Sequence, residues 1–72
     1  MKIAVMGYGT IGSGVVEVLR INKEKIAKRA GEPVEVKYIL DLREFPGDPM
    51  EDAIVHDYQT IAKDPEIGIV VE

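Results

Sequence analysis

Three glycines at fixed spacing constrain this chain more than any other feature. Gly7, Gly9 and Gly12 spell G-x-G-x-x-G, with the apolar run Lys2 to Met6 directly before them and an amphipathic stretch directly after. The pattern alone is weak, because spaced glycines arise easily by chance. Its placement between a strand and a helix is what gives it meaning. Each glycine answers a separate need. Gly7 permits the tight turn out of the strand. Gly9 leaves the backbone bare, so that a pyrophosphate can approach. Gly12 lets the helix pack closely on the strand. The N–H groups of Thr10, Ile11 and Gly12 would then face a diphosphate at the positive end of the helix dipole. The alternative is a glycine-rich turn with no ligand.

The rest of the chain extends the same theme. Lys2 to Met6 is almost continuously apolar, as expected for a parallel strand covered on both faces. From Ile11 to about Arg29 the pattern is helical, with Val15, Val16, Leu19, Lys23, Ile26 and Ala30 on one stripe. Lys25, Lys28 and Arg29 suit the C-terminal end of that helix, and Gly31 and Pro33 stop it. Val34 to Leu40 reads as a second strand, with Val34, Val36, Tyr38 and Leu40 on one face and Glu35, Lys37 and Ile39 on the other. Arg43 to Asp52, which holds Pro46, Gly47 and Pro49, reads as a polar loop with little room for regular structure. A short strand at Ala53 to Val55, one or two helical turns at Tyr58 to Lys63 and an apolar strand at Ile67 to Val71 complete the chain. This order calls for an α/β fold, a Rossmann-type parallel sheet with flanking helices. The bare apolar strand Ile67 to Val71 leads us to expect that the sheet is incomplete in this chain.

Composition excludes several function classes. The formal net charge of −4 argues against a nucleic-acid surface, which needs a basic stripe. No stretch approaches the roughly 20 apolar residues of a membrane span. The first apolar run is too short for a signal-peptide core, which makes a cytoplasmic protein the expectation. There is no cysteine, hence no disulfide or thiolate metal site, and this fits a reducing compartment.

The second candidate element lies at the end of the second strand. Asp41 stands where a carboxylate accepts hydrogen bonds from adenosine ribose hydroxyls, although it lies 29 positions after Gly12 rather than about 20. The long helix and the Ala30–Pro33 turn account for the excess. A carboxylate there favours NAD. Arg43, two residues on, is a guanidinium suited to the 2′-phosphate of NADP. A turn-capping role is the other reading of Asp41. His56, the one histidine, reads as a surface residue beside Asp57. Glu44, Asp48, Glu51 and Asp52 do not match a calcium loop and read as solvated. Lys23 to Arg29 reads as an exposed basic helix face, and Tyr8 as packing beside a cofactor or a neighbouring loop. No catalytic residue and no metal site is expected.

Taken together, MKIAVMGYGTIGSGVVEVL, NKEKIAKRAGEPVEVKYIL and DPEIGIVVE resemble the amino-terminus of homoserine dehydrogenases, across essentially the whole chain. The resemblance implies a hydride transfer between NAD or NADP and the pair L-homoserine and aspartate semialdehyde, on the route to threonine, methionine and isoleucine. It implies that Gly7, Gly9, Thr10, Ile11 and Gly12 hold the pyrophosphate and that Asp41 or Arg43 holds the adenosine ribose. Many members carry arginine in a V-R-D context where this chain reads Leu40-Asp41-Leu42-Arg43-Glu44, so the register of that arginine is open. The family's catalytic lysines and its substrate-binding, dimerising region would lie beyond Glu72. Residues 1–72 are then the N-terminal part of a dinucleotide-binding domain, of a protein that is a homo-oligomer through other regions. Other amino-acid pathway dehydrogenases and a non-enzymatic NAD(P)-sensing module are the competing readings.

Overall fold

A computed structural model describes residues 1–72, the side chain of Ile11 excepted. The chain runs β1 (Lys2–Met6), α1 (Thr10–Ile21), α2 (Lys23–Ala30), β2 (Glu35–Leu40), a 3-10 turn at Glu51–Ala53, β3 (Ile54–Val55), α3 (Tyr58–Ala62) and β4 (Ile67–Val71). All pairings are parallel, in the order β3-β2-β1-β4. The chain therefore builds outward from β1 through β2 to β3, then returns to the other side of β1 for β4. Such a reversal leaves a crevice at the carboxyl ends of the two strands where it occurs, here β1 and β4.

Burial follows the apolar runs. Ile3, Ala4 and Val5 of β1 are buried, as expected for the central strand of a sheet with covered faces. Val5 packs with Val16 of α1 and Ile39 of β2, and Tyr8, Val15, Val36, Met50, Ala53 and Ile54 close around them. The expected helix from Ile11 to Arg29 is two helices. Asn22 leaves the helical region at φ −102°, ψ 23°, and both its N–H (3.0 Å) and its side-chain amide (3.1 Å) donate to the Val18 carbonyl. Asparagine offers the backbone this local competitor, which a stripe of apolar positions does not reveal. After the break the stripe loses depth, and α2 buries no residue.

The expected face assignment of the second strand also changes. Ile3 pairs with Val36, but Ala4 pairs with Tyr38 and Val5 with Ile39, so Lys37 is an extra residue. One inserted residue reverses which face the following side chains occupy. Val36 and Ile39 thus share the Val5 side, and Tyr38 and Leu40 share the other. A second irregularity sets Gly68 of β4 outside the pairing, where an added Cβ would press on the Met1 side chain at 3.3 Å. The loop from Arg43 to Asp52 is more ordered than its prolines suggest, and ends in the 3-10 turn at Glu51–Ala53.

The Lys37 bulge has a partner. The Lys37 ammonium donates to Asp64 Oδ2 at 2.5 Å and to Glu66 Oε1 at 3.2 Å, and the Tyr38 hydroxyl donates to the same Asp64 oxygen at 2.7 Å. The Glu66 N–H caps the other oxygen at 2.9 Å. These donors, the Lys37 hydrogen bond foremost, hold the Asp64 carboxyl down at about 2, and the Asp64 and Glu66 carboxylates raise the Lys37 ammonium. A carboxyl whose value falls on folding stabilises the fold above its unfolded value and loses that contribution on acidification. Asp64 should therefore contribute in full above about 3.8 and lose its contribution as pH falls to about 2. Thermal unfolding followed down that range should show a shallower acid limb for Asp64→Asn than for the native chain.

Candidate coenzyme-binding site

Gly7 leaves β1 at φ +96°, in the left-handed region that glycine alone enters at little cost. Its N–H still donates to the Leu40 carbonyl at 2.7 Å, so the turn begins inside the sheet. Gly9 precedes α1, and the first N–H returned along the helix is that of Ser13, to the Gly9 carbonyl at 2.9 Å. No side chain caps this end. The N–H groups of Thr10 and Gly12 thus belong to the unpaired first turn of a helix, where an anion is stabilised by donors and dipole together. Ile11 lies between them in α1, and its side chain is outside the described residues.

Gly12 and Gly9 perform opposite tasks. A Cβ on Gly12 would lie 1.9 Å from the Gly7 carbonyl oxygen, a separation no side chain tolerates. The absence of that carbon is what allows α1 to sit against the end of β1. Among the described residues, a Cβ on Gly9 would meet only the Arg43 guanidinium, at 3.9 Å. Gly9 therefore keeps open an approach that the fold itself does not use. In front of the turn lies a cleft of about 380 Å³ lined by Val5, Met6, Gly7, Gly9, Thr10, Gly12, Val15, Val71 and Glu72. It stands at the carboxyl ends of β1 and β4, where the strand order reverses.

Asp41 follows β2 and is nearly buried, its main-chain N–H donating to Val55 at 3.0 Å. Its carboxylate receives four donors. The Tyr8 N–H (2.9 Å) and Arg43 Nη2 (2.9 Å) reach Oδ2, and the Arg43 N–H (2.9 Å) and Nε (3.0 Å) reach Oδ1. The turn-capping geometry is thus present, in the bond from the Arg43 N–H. It coexists with a bidentate ion pair. Arg43, its two main donors first, drives the Asp41 carboxyl well below the usual carboxylate range. About four acceptor positions exist on a carboxylate, so none is left over for a ribose hydroxyl while Arg43 stays in place. Arg43 itself is 63% exposed, with its guanidinium beside Gly9.

Several residues that the sequence left undistinguished converge here. Tyr8, between two motif glycines, packs its ring edge-on to Phe45 with centroids 5.1 Å apart, and its hydroxyl donates to Asp48 at 2.9 Å. Of the two placements expected for Tyr8, the neighbouring loop is therefore occupied. Burial and the Asp48 carboxylate push its phenol up. His56 is exposed, as expected, but its Nδ1 lies 2.6 Å from the Asp41 carbonyl oxygen, which ties β3 to the same corner. The acidic loop is partly committed to turns, with Asp48 accepting from Met50 N–H (2.8 Å) and Glu51 from Gly47 N–H (3.2 Å). Among the described residues no group of histidine, cysteine or carboxylate side chains is arranged to hold a metal ion, and no helix is long and apolar enough to cross a membrane.

A parallel sheet in this order, with a glycine turn into a helix at the point of reversal, defines a Rossmann-type α/β unit. No protein-family model matches the chain. The homoserine dehydrogenase of Pseudomonas aeruginosa is 41% identical over 73 residues, covering 100% of this chain and 17% of the relative. That of Helicobacter pylori is 36% identical over 74 residues, again 100% of this chain and 17% of the relative. A crystal structure of S. aureus homoserine dehydrogenase at pH 7.0 matches with a TM-score of 0.83 and 27% identity, over 97% of this chain and 19% of that one. Over its whole length the chain is similar to homoserine dehydrogenases, and it spans about 17% of the length of these curated relatives.

The two glycines separate fold from binding in a measurable way. Gly12→Ala should cost at least about 1–3 kcal/mol, the range for overpacked sites, while Gly9→Ala should leave stability within about 0.5 kcal/mol. Urea unfolding of the two variants checks this, and equal stability losses would contradict the assignment.

Proposed function

We propose that residues 1–72 form the N-terminal part of the dinucleotide-binding domain of an NAD(P)-dependent oxidoreductase that interconverts L-homoserine and aspartate semialdehyde. The observation that carries this reading is the bare face of Gly9 above the open first turn of α1, at the crevice between β1 and β4. In this reading Gly7 shapes the turn, Gly9 admits the pyrophosphate, and the N–H groups of Thr10, Ile11 and Gly12 bind it. The coenzyme, when bound, supplies the hydride chemistry. This chain supplies no catalytic group. The lysines that handle the proton and the region that binds substrate and joins subunits belong to other parts of the complete protein, which we place in the cytoplasm and assign no nucleic-acid or membrane partner.

The coenzyme follows from the Asp41–Arg43 pair. With its acceptor positions filled by Tyr8 and Arg43, Asp41 is poorly placed to receive a ribose hydroxyl. Arg43 spends Nε and Nη2 on Asp41, and among the described residues its Nη1 edge has no acceptor. A 2′-phosphate can take that edge without breaking the pair. We therefore assign NADP as the preferred coenzyme and NAD as the weaker one, opposite to what a carboxylate at the strand end alone suggests.

The test is coenzyme reduction by the complete gene product, with L-homoserine and either NADP or NAD. Turnover is expected with both, and more efficiently with NADP. Arg43→Ala should weaken NADP binding by about tenfold, as for loss of a charge-assisted hydrogen bond. The same variant should leave NAD binding equal or improved, because Asp41 is released. A protein that binds coenzyme but reduces neither with L-homoserine would remove the substrate assignment.

A further inference from the structure

Arg43 is part of a closed ring of contacts that includes the glycine turn itself. Its guanidinium carbon stands 5.1 Å from the centroid of the Phe45 ring. Phe45 meets the Tyr8 ring edge-on, at 5.1 Å and an interplanar angle of 89°. The Tyr8 N–H returns to Asp41 at 2.9 Å, and Asp41 holds Arg43 through two side-chain bonds. A further bond, from the Tyr8 hydroxyl to Asp48 at 2.9 Å, pins the loop that carries Phe45. That loop is fastened to itself as well, since the Asp48 N–H donates to the Phe45 carbonyl at 3.1 Å and the Glu51 N–H to Asp48 at 3.0 Å.

An exposed arginine has a long side chain with many rotamers, and a surface ion pair alone seldom orders it. Here the guanidinium carbon lies over an aromatic ring while one edge of the group is engaged by a carboxylate. Both supports trace back to Tyr8, which sits between Gly7 and Gly9. We infer that Tyr8 and Phe45 are positioning residues that fix Arg43 beside the pyrophosphate turn and so set the preference of this site for a 2′-phosphorylated coenzyme. This deepens the coenzyme reading above and rests on it. Neither aromatic ring need touch the coenzyme. They act through the direction of the guanidinium, whose free Nη1 edge is thereby committed before the ligand arrives. Preorganisation of this kind reduces the side-chain ordering that binding would otherwise require.

The experiment measures dissociation constants for NADPH and NADH with the complete gene product, by coenzyme fluorescence. The variants are Phe45→Leu, Phe45→Tyr, Arg43→Ala and the double change of Phe45→Leu with Arg43→Ala. Phe45→Leu keeps an apolar side chain but loses the ring face, and should weaken NADPH about two- to five-fold, the scale of an exposed cation–π contact. NADH should stay unchanged. Phe45→Tyr should restore NADPH affinity, because it returns the ring. In the Arg43→Ala background, Phe45→Leu should have no further effect, since the residue it acts through is gone. Equal weakening of both coenzymes by Phe45→Leu, or an undiminished effect without Arg43, would reduce Phe45 to a packing residue and overturn the inference alone. An Arg43→Ala variant with an unchanged NADPH-to-NADH ratio would overturn the coenzyme assignment and this inference with it.

Discussion

The contact between Gly12 and the Gly7 carbonyl governs how the rest of this molecule can be arranged. A hypothetical Cβ would come within 1.9 Å of that oxygen, so the helix backbone itself is what packs against the turn. This approach brings Val16 onto Val5 and Ile39, which form a buried core cluster of the fold. It also aims the open first turn of α1 across the carboxyl end of β1. Core packing and the geometry of the proposed site therefore share one missing methyl group. A helix held further out would lose apolar contact and would point its N–H groups elsewhere.

Asp41 is the second point of convergence, and it is electrostatic where the first is steric. Four donors from two segments meet on one nearly buried carboxylate. Burying a charge is costly unless its hydrogen-bonding positions are filled, and here the glycine turn and Arg43 fill them. The main chain of the same residue joins β3 through Val55 and receives the His56 ring. The end of β2 is thereby coupled to the end of β1 and to β3. Charge at the adenosine side of the proposed site follows from how this corner pairs Asp41 with Arg43.

The elements themselves were largely legible in the residues. Apolar runs marked β1 and β4, a stripe with a glycine and proline stop marked the helical region, and Asp64-Pro65 marked the end of α3. Such signals are local, and they depend on neighbours one to four positions away. The structure departs from these signals where a distant partner, or a side-chain bond that apolar spacing does not count, decides the outcome. Lys37 is extruded from the ladder because pairing with β1 shifts by one between Ile3 and Ala4, and alternation along β2 contains no sign of this. Asn22 breaks the helix through its bonds to Val18, which periodicity of apolar positions does not register. The structural roles of Gly7 and Gly12 were readable, since the tight turn and the close helix approach are backbone needs set within a few residues. The state of Asp41 was not, because Tyr8 lies 33 positions away in sequence.

By itself, then, the sequence determined the type and order of the elements, the place of the turn and its family resemblance, because these depend on short-range backbone preferences and on motifs that recur together. Only the tertiary structure decided which faces of β2 are buried and how Asp41, Arg43, Phe45 and Tyr8 close into one ring. Those outcomes follow from strand register and from charge and ring contacts between distant segments. Such contacts exist only once the backbone has brought the segments together, and they then redirect side chains whose roles appear independent in the linear chain.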